Sequence, residues 1–405
     1  MMKAAIMGFG TVGSGVYEVL DRNADVVAKN AGDPIEVKYI LDLRDFPDAP
    51  HQEKFIKEFS IIENDPEVSI VAETMGGKGA AYEFTKRCLL AGKHVVTSNK
   101  ELVATHGAEL LAIAKEKNVN YLFEASVGGG IPIIRPMFQC LTANHMTHIT
   151  GILNGTTNYI LTRMIDAGLD FETALKEAQQ KGYAEANPSA DVEGMDACRK
   201  ICILSAIAYG DHVYPEFVET EGITKITLQD VEYAAQAGCV VKLLGRAVLQ
   251  DDGTFYAFVA PHFVANSCPL AGVDDVFNAI MVTGDMLGDS MFYGQGAGKL
   301  ATASAVVADM IDCVRHNKKR RNLGWGDGSK QLVRPLSSFA SKWYVRLGGA
   351  DAAQKLADRF PGCEMLQSAD SSAEAACITG ELTTQEMDKV REALGSAVLG
   401  CMRLL

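Results

Sequence analysis

Nowhere does this 405-residue chain hold an apolar run as long as the roughly 18 to 20 residues that a membrane span requires. A membrane protein is therefore not expected. The N-terminus lacks a signal-peptide layout, because "KAAIMGFGTVG" already begins the first structural unit, and a cytoplasmic location follows as the expectation. Among the ten cysteines there is no C-x-x-C pair and no histidine at metal-ligand spacing. Reduced thiols are expected, and Cys198 and Cys202, one helical turn apart on an apolar face, read as core packing. Positive charge is also short. The formal net charge of -13 argues against nucleic acid, since phosphate binding needs a basic face. The one basic run, "RHNKKRRN" at 315–322, reads as a solvated helix end before a linker. Internal repeats and low-complexity tracts are missing too.

What is present is a soluble composition, 48% hydrophobic and 22% charged, on a chain long enough for two or three domains. "KAAIM", "IEVKYILDL", "VSIVAETM", "HVVTSN" and "VNYLFEA" read as strands, separated by amphipathic helices, the first from about Ser14 to Lys29. Strands alternating with helices of this length predict an α/β fold with a Rossmann-type parallel sheet over 1–126. The rhythm changes after "SVGGGIPII", and a second α/β domain, catalytic and dimerising, is expected over 127–322. Residues 323–338 read as a linker. The remainder, 339–405, reads β-α-β-β-α-β, which predicts a small ferredoxin-like module.

Gly8, Gly10 and Gly13 form G-x-G-x-x-G, with Thr11 and Val12 between them, where the first strand meets the first helix. The first glycine permits the tight turn and the second lets backbone approach a pyrophosphate. The third lets helix and strand pack closely, and the helix N-terminus favours the anion. A dinucleotide cofactor is expected. Which one is open: the second strand ends in "LDLRD", offering Asp42 for a ribose diol and Arg44 for a 2′-phosphate. Written as NAD(P), the reading leans slightly to NADP.

The segment "GYAEANPSADVEGMDACRK" sets Glu185, Asp191 and Asp196 ahead of Lys200, and the apolar "ICILSAIA" follows at once. Asp196 and Lys200 are i and i+4, on one face of a helix starting near Val192. An exposed pair of this kind is worth a few tenths of a kcal/mol, roughly nothing. Here the turns that follow are apolar all round, so the charged end must open onto a cavity or interface. Neighbouring acids favour the ammonium form of Lys200, which can protonate the alkoxide that hydride transfer to a carbonyl leaves behind. The same acids would serve a substrate ammonium. Asn99 and "ETMGG" (Glu73 to Gly77) fall on the strand edge where ligands bind. "NGTTNYI" offers polar groups to a substrate, or helix capping by Asn154, Thr156 and Thr157.

That charged segment resembles the signature of homoserine dehydrogenases. So do "GFGTVG", "VAETMGG", "AGKHVVTSNKEL", "EASVGGGIPII", "GILNGTTNYILTRM" and "YGQGAG…TASAVVADM", in the family's order over about 1–315. The resemblance implies interconversion of L-aspartate 4-semialdehyde and L-homoserine with NAD(P). It implies Lys200 as general acid/base, Glu185 and Asp196 as substrate ligands with Asp191 in support, and Lys100 as a second active-site lysine near substrate and cofactor. Gly182 and Gly298 match positions that approach the cofactor, and both are open to a helix-end reading. It further implies a sodium ion held by the Glu124 carboxylate and the carbonyls of Val127, Gly129 and Ile131; a flexible glycine turn is the competing account. Residues 339–405 resemble an ACT domain, although "GGADAAQKL" lacks that module's Pro-Gly turn, so dimerisation module and threonine sensor both stay open. A homodimer or homotetramer is the family habit. Competing functions are another amino-acid or semialdehyde dehydrogenase of similar plan, or a non-catalytic sensor of NAD(P) and an amino acid.

Overall fold

Six parallel strands run in the order Phe55–Ile56, Ile35–Leu41, Met2–Met7, Val68–Glu73, His94–Thr97, Tyr121–Leu122 in the computed structural model. It describes all residues except 318 and 367–372. The order reverses about the first strand, which opens a crevice at the carboxyl edge. Val68–Glu73 and His94–Thr97 are buried on both faces, as strands covered by helices must be. The chain folds into two compact units that interleave along the sequence. The first unit comprises 1–145, 202–215 and 292–331; the second comprises 146–201, 216–291 and 332–405.

In the first unit, helix Lys299–Arg315 returns from far along the chain to cover the six-stranded sheet. Its Ala303, Val306, Met310 and Cys313 share one core with Ile6, Ile40 and Ile70. It packs on helix Thr11–Arg22, where a Cβ on Gly15 would lie 2.8 Å from the Lys299 carbonyl oxygen. The single helix expected from Ser14 to Lys29 is two, Thr11–Arg22 and Ala24–Ala31, broken at Asn23, whose backbone leaves the helical region. The strand expected over "VNYLFEA" stops at Leu122 and gives way to a 3-10 turn, Glu124–Ser126.

The second unit is built on a mixed sheet whose neighbours run Phe277–Gly284, Met146–Ile152, Cys239–Leu249, Phe255–Ala265, Val398–Leu404, Trp343–Gly348, Glu374–Ile378, Glu364–Leu366. The last four belong to the C-terminal module. Numbered along the chain they lie 4-1-3-2, all antiparallel, with helices Ala352–Arg359 and Thr384–Leu394 between them. That is the ferredoxin-like arrangement. The module has its own core of Trp343, Val345, Leu347, Leu356, Phe360, Met387 and Val390. Within this unit the irregular stretch leading into the module is anchored, with Val333 bridging Phe255 and Phe339 set against Tyr256 and Phe258. All ten cysteines are free thiols, and no described helix is long and apolar enough to cross a membrane.

Candidate functional site

The glycine turn sits at the crevice of the six-stranded sheet. Gly8 adopts φ +92°, in the region that favours glycine. A Cβ on Gly13 would fall 1.9 Å from the Gly8 carbonyl oxygen, so only hydrogen fits there. Gly10, the N-cap of helix Thr11–Arg22, faces open space except for the Arg44 guanidinium 3.7 Å from its would-be Cβ. The two substitutions should therefore part. Gly13→Ala is expected to lower stability by about 1–3 kcal/mol or more through overpacking and to abolish cofactor binding. Gly10→Ala should leave the melting temperature unchanged and weaken cofactor binding alone, as fluorescence titration beside a thermal melt will show.

Asp42 and Arg44 are joined as a pair. Asp42 accepts from the Phe9 N–H at 2.7 Å and from Arg44 Nη2 at 2.8 Å and Nε at 3.1 Å. The Arg44 guanidinium holds its carboxyl down at about 2. The Asp42 side chain is 8% exposed and that of Arg44 is 64% exposed. The acid is thus committed to the turn and the arginine, while the arginine projects outward.

Along the same sheet edge, Glu73 is fully buried, accepting from Thr97 Oγ1 at 2.6 Å and the Met75 N–H at 2.8 Å. Burial pushes its carboxyl up. Asn99 donates to the Gly77 carbonyl at 2.6 Å and caps helix Lys100–Glu116 through the Leu102 N–H, which fixes Lys100 at the first helical position. Gly298, at φ +126°, caps helix Lys299–Arg315 in a backbone region closed to other residues.

In the second unit the charged segment closes on itself. Lys200 Nζ donates to Asp196 Oδ2 at 2.7 Å and to the Leu153 carbonyl at 2.6 Å. Asn154 Nδ2 donates to Asp196 Oδ2 at 2.9 Å and to Asp191 Oδ1 at 2.7 Å. Its Oδ1 accepts from the Thr157 N–H and caps helix Gly155–Ala167, so Asn154 both caps and bridges. Asp196 and Lys200 are 4% and 7% exposed, near the start of helix Met195–Tyr209. A pair this buried is worth keeping only where its charges are used or fully hydrogen-bonded. Glu185 is not drawn into this network; it is exposed, and its backbone carbonyl accepts from Gln179. Gly182 terminates helix Phe171–Gln180 in left-handed conformation, with Tyr183 N–H on the Ala178 carbonyl and its own N–H on Gln179. Among the described residues nothing beyond its chain neighbours lies within 4 Å of its would-be Cβ.

Glu124 is buried in the first unit. Its carboxylate accepts from the backbone N–H groups of Ile133, Ile134 and Arg135 at 2.7 to 3.0 Å, and burial pushes its carboxyl up. Asp309 receives the Glu124 N–H and pairs with Arg135; burial pushes it up to about 8, against the pull of that arginine. Gly128 and Gly129 take positive φ. Among the described residues the carbonyls of Val127, Gly129 and Ile131 accept no hydrogen bond. Carbonyl oxygens without a donor are the type of ligand that a hard cation takes. No described cluster of three or more His, Cys, Asp or Glu suits a metal, so such a site would have to be built largely from backbone. Sequence inspection missed Asp309 and its pairing with Arg135, because partners 185 and 174 positions apart leave no local signal. It also missed the Leu153 carbonyl, since a backbone acceptor has no residue type to read.

Two family profiles match the chain: homoserine dehydrogenase over 132–311, and homoserine dehydrogenase NAD-binding domain over 8–124. The Pseudomonas aeruginosa homoserine dehydrogenase is 41% identical over 359 residues, covering 86% of this chain and 82% of that one. The crystal structure of a homoserine dehydrogenase from Thiobacillus denitrificans superposes with a TM-score of 0.91 at 36% identity, covering 100% and 98% of the two chains. A hyperthermophilic archaeal homoserine dehydrogenase in complex with NADPH matches with a TM-score of 0.64 at 27% identity, over 77% of this chain and 97% of that one.

Proposed function

The chain belongs to the homoserine dehydrogenases, NAD(P)-dependent oxidoreductases acting on a CH–OH group, and from that premise we propose how its own residues divide the work. The enzyme interconverts L-aspartate 4-semialdehyde and L-homoserine, a step of amino-acid biosynthesis. Gly8, Gly10, Thr11, Val12 and Gly13 cradle the pyrophosphate. When bound, the nicotinamide supplies or accepts the hydride.

Lys200 is the group that gives a proton to the alkoxide in reduction and removes it in oxidation. The observation that carries this assignment is its burial in hydrogen-bonded contact with Asp196. Asp196 and Asp191, locked together by Asn154, present fixed negative charge to the substrate ammonium. Glu185, exposed and outside that network, binds substrate by turning toward it. Lys100 assists at substrate or cofactor from its helix start, and Gly182 and Gly298 let backbone approach the cofactor. Loss of NAD(P)H absorbance on adding aspartate semialdehyde tests the activity, and the absence of any turnover in folded protein would favour a sensor.

Arg44 binds the 2′-phosphate of NADP, since Asp42 is already engaged and the guanidinium points outward. The archaeal relative is recorded with NADPH, in line with this. Charge-assisted hydrogen bonds are worth about 1.5–3 kcal/mol. Arg44→Ala should therefore raise KM for NADPH roughly tenfold or more and leave KM for NADH nearly unchanged. An equal loss with both cofactors would refute the assignment.

Glu124 with the carbonyls of Val127, Gly129 and Ile131 would hold sodium; the Arg135 N–H fixes the carboxylate, and Asp309 fixes the Glu124 backbone through its N–H. The ion would stiffen the 124–131 turn and neutralise a buried acid. Functionally, 1–126 serve cofactor binding, 127–322 catalysis and dimerisation, and 339–405 an ACT-like role reached through 323–338. The enzyme works in the cytoplasm as a homodimer or homotetramer.

A further inference from the structure

The mixed sheet carries a cation for which the described residues supply no counter-ion. Arg246, on strand Cys239–Leu249, lies opposite Phe258 on one side and Thr150 on the other. It is 9% exposed, and among the described residues its guanidinium makes no hydrogen bond or ion pair, with Nε sealed from solvent. The rings of Phe258 and Phe339 each lie 5.6 Å from its Cζ. A second guanidinium, Arg403, is 5.2 Å from the same Phe258 ring and 4.3 Å from Trp343. Arg403 donates through Nη2 to Thr384 Oγ1 at 3.1 Å, and its Nε is buried without a partner. His262 stacks on Phe258 with centroids 5.9 Å apart. Its Nδ1 meets the Ala260 carbonyl at 2.8 Å, and its Nε2 is likewise orphaned.

Two guanidinium groups and an imidazole therefore surround one aromatic ring. The acids that act on Arg403 through space are Glu219, Glu221 and Asp388, and none forms an ion pair with it among the described residues. The charge that Arg246 feels is that of Arg403. Contact with aromatic faces offsets only part of the cost of burying an unpaired guanidinium. Buried polar groups in folded proteins are satisfied as a rule, so the partner these groups call for lies outside the described residues.

We propose that Arg246, flanked by Arg403 and His262, is a buried site for a small monovalent anion, a halide or a short carboxylate. The Thr150 hydroxyl, opposite Arg246 in register and without a hydrogen-bond partner among the described residues, supplies a neutral donor. Aromatic rings on the guanidinium and its 9% exposure favour a small ion over a nucleotide or a peptide. Occupancy offsets one of the two guanidinium charges that flank strand Phe255–Ala265 and so strengthens the seam between this sheet and the C-terminal module.

The test is thermal unfolding of the full chain at constant sodium and ionic strength, with gluconate replaced stepwise by formate, chloride or bromide. The parent should show a saturable rise of about 2 °C or more. Arg246→Met should show none, and in gluconate it should melt at or above the parent, because an uncompensated charge has gone. Crystals grown in bromide should give an anomalous peak against Arg246. Equal rises in parent and R246M, or no rise in the parent, overturn the site. A bromide peak without saturable stabilisation means an adventitious ion only, and also overturns it. If R246M changes the mass seen by light scattering while anions do nothing, an acid from a second copy is the counter-ion and the proposal fails. Should R246M not fold, Arg403→Met and the bromide peak decide in the same terms.

Discussion

Lys200→Ala is expected to lower kcat by about 10²- to 10⁴-fold, the span that a positioned general acid or base contributes, with NADPH affinity unchanged. The reason lies in how the two tasks are divided along the chain. The pyrophosphate cradle we propose is Gly8 to Gly13, and Lys200 lies outside it. Removing the ammonium takes the proton donor from the hydroxyl oxygen and leaves Asp196 bonded to Asn154 at 2.9 Å, so the acids keep their place. Lys200→Arg should not restore turnover, because a guanidinium keeps its proton too tightly to exchange it. Steady-state rates in both directions, with a fluorescence titration of NADPH, separate the two effects. Near-normal turnover in the alanine variant would remove Lys200 from the chemistry.

The second large effect is expected at Glu124. Its carboxylate is the acceptor for three consecutive backbone donors, those of Ile133, Ile134 and Arg135. Each buried donor left without a partner costs about 1–3 kcal/mol. Glu124→Ala should therefore cost several kcal/mol, on the order of a large fraction of the stability of an ordinary domain. Glu124→Gln keeps one carbonyl oxygen for these donors and should fold, yet it gives up the negative charge. In that variant, exchanging sodium for a bulky organic cation should no longer change activity or melting temperature, whereas the parent should respond. A parent indifferent to the exchange would leave the carboxylate a purely structural cap.

Much of the architecture was legible because local rules and the global fold agree. The first strand, the glycine turn and the alternation through "HVVTSN" follow from period and turn chemistry, and the parallel sheet contains them all. The ferredoxin-like module was readable from its order of elements alone. Two kinds of information were not. Helix Lys299–Arg315 carries an apolar face, but nothing in its periodicity says that it covers a sheet begun at residue 2. Boundaries also slipped where one residue decides, as at Asn23, which splits the first helix in two.

At the site, side chains with a spacing were found and those without were not. Asp196 and Lys200 announce themselves as i and i+4 ahead of an apolar helix, and the structure joins them. Asn154 could only be read as a cap or a ligand, because its amide serves both ends at once. Asp42 and Arg44 were legible as rivals for the ribose. Their mutual pairing depends on the backbone turn between them, which the letters do not encode. Arg246 left no signal whatever: an arginine amid valines and leucines on a strand looks like an ordinary edge charge until its surroundings are known.

The strand Val398–Leu404 is shared by two structures at once. It is the fourth strand of the ferredoxin-like module, and through Arg403 and Leu404 it pairs with His262 and Phe263 of the catalytic sheet. Peeling that ribbon away would open the module and the central sheet together. The module is therefore not an appendage that can melt first and leave the rest native; the two belong to one cooperative foldon. Amide protons on either side of the join would exchange with solvent in a single concerted opening.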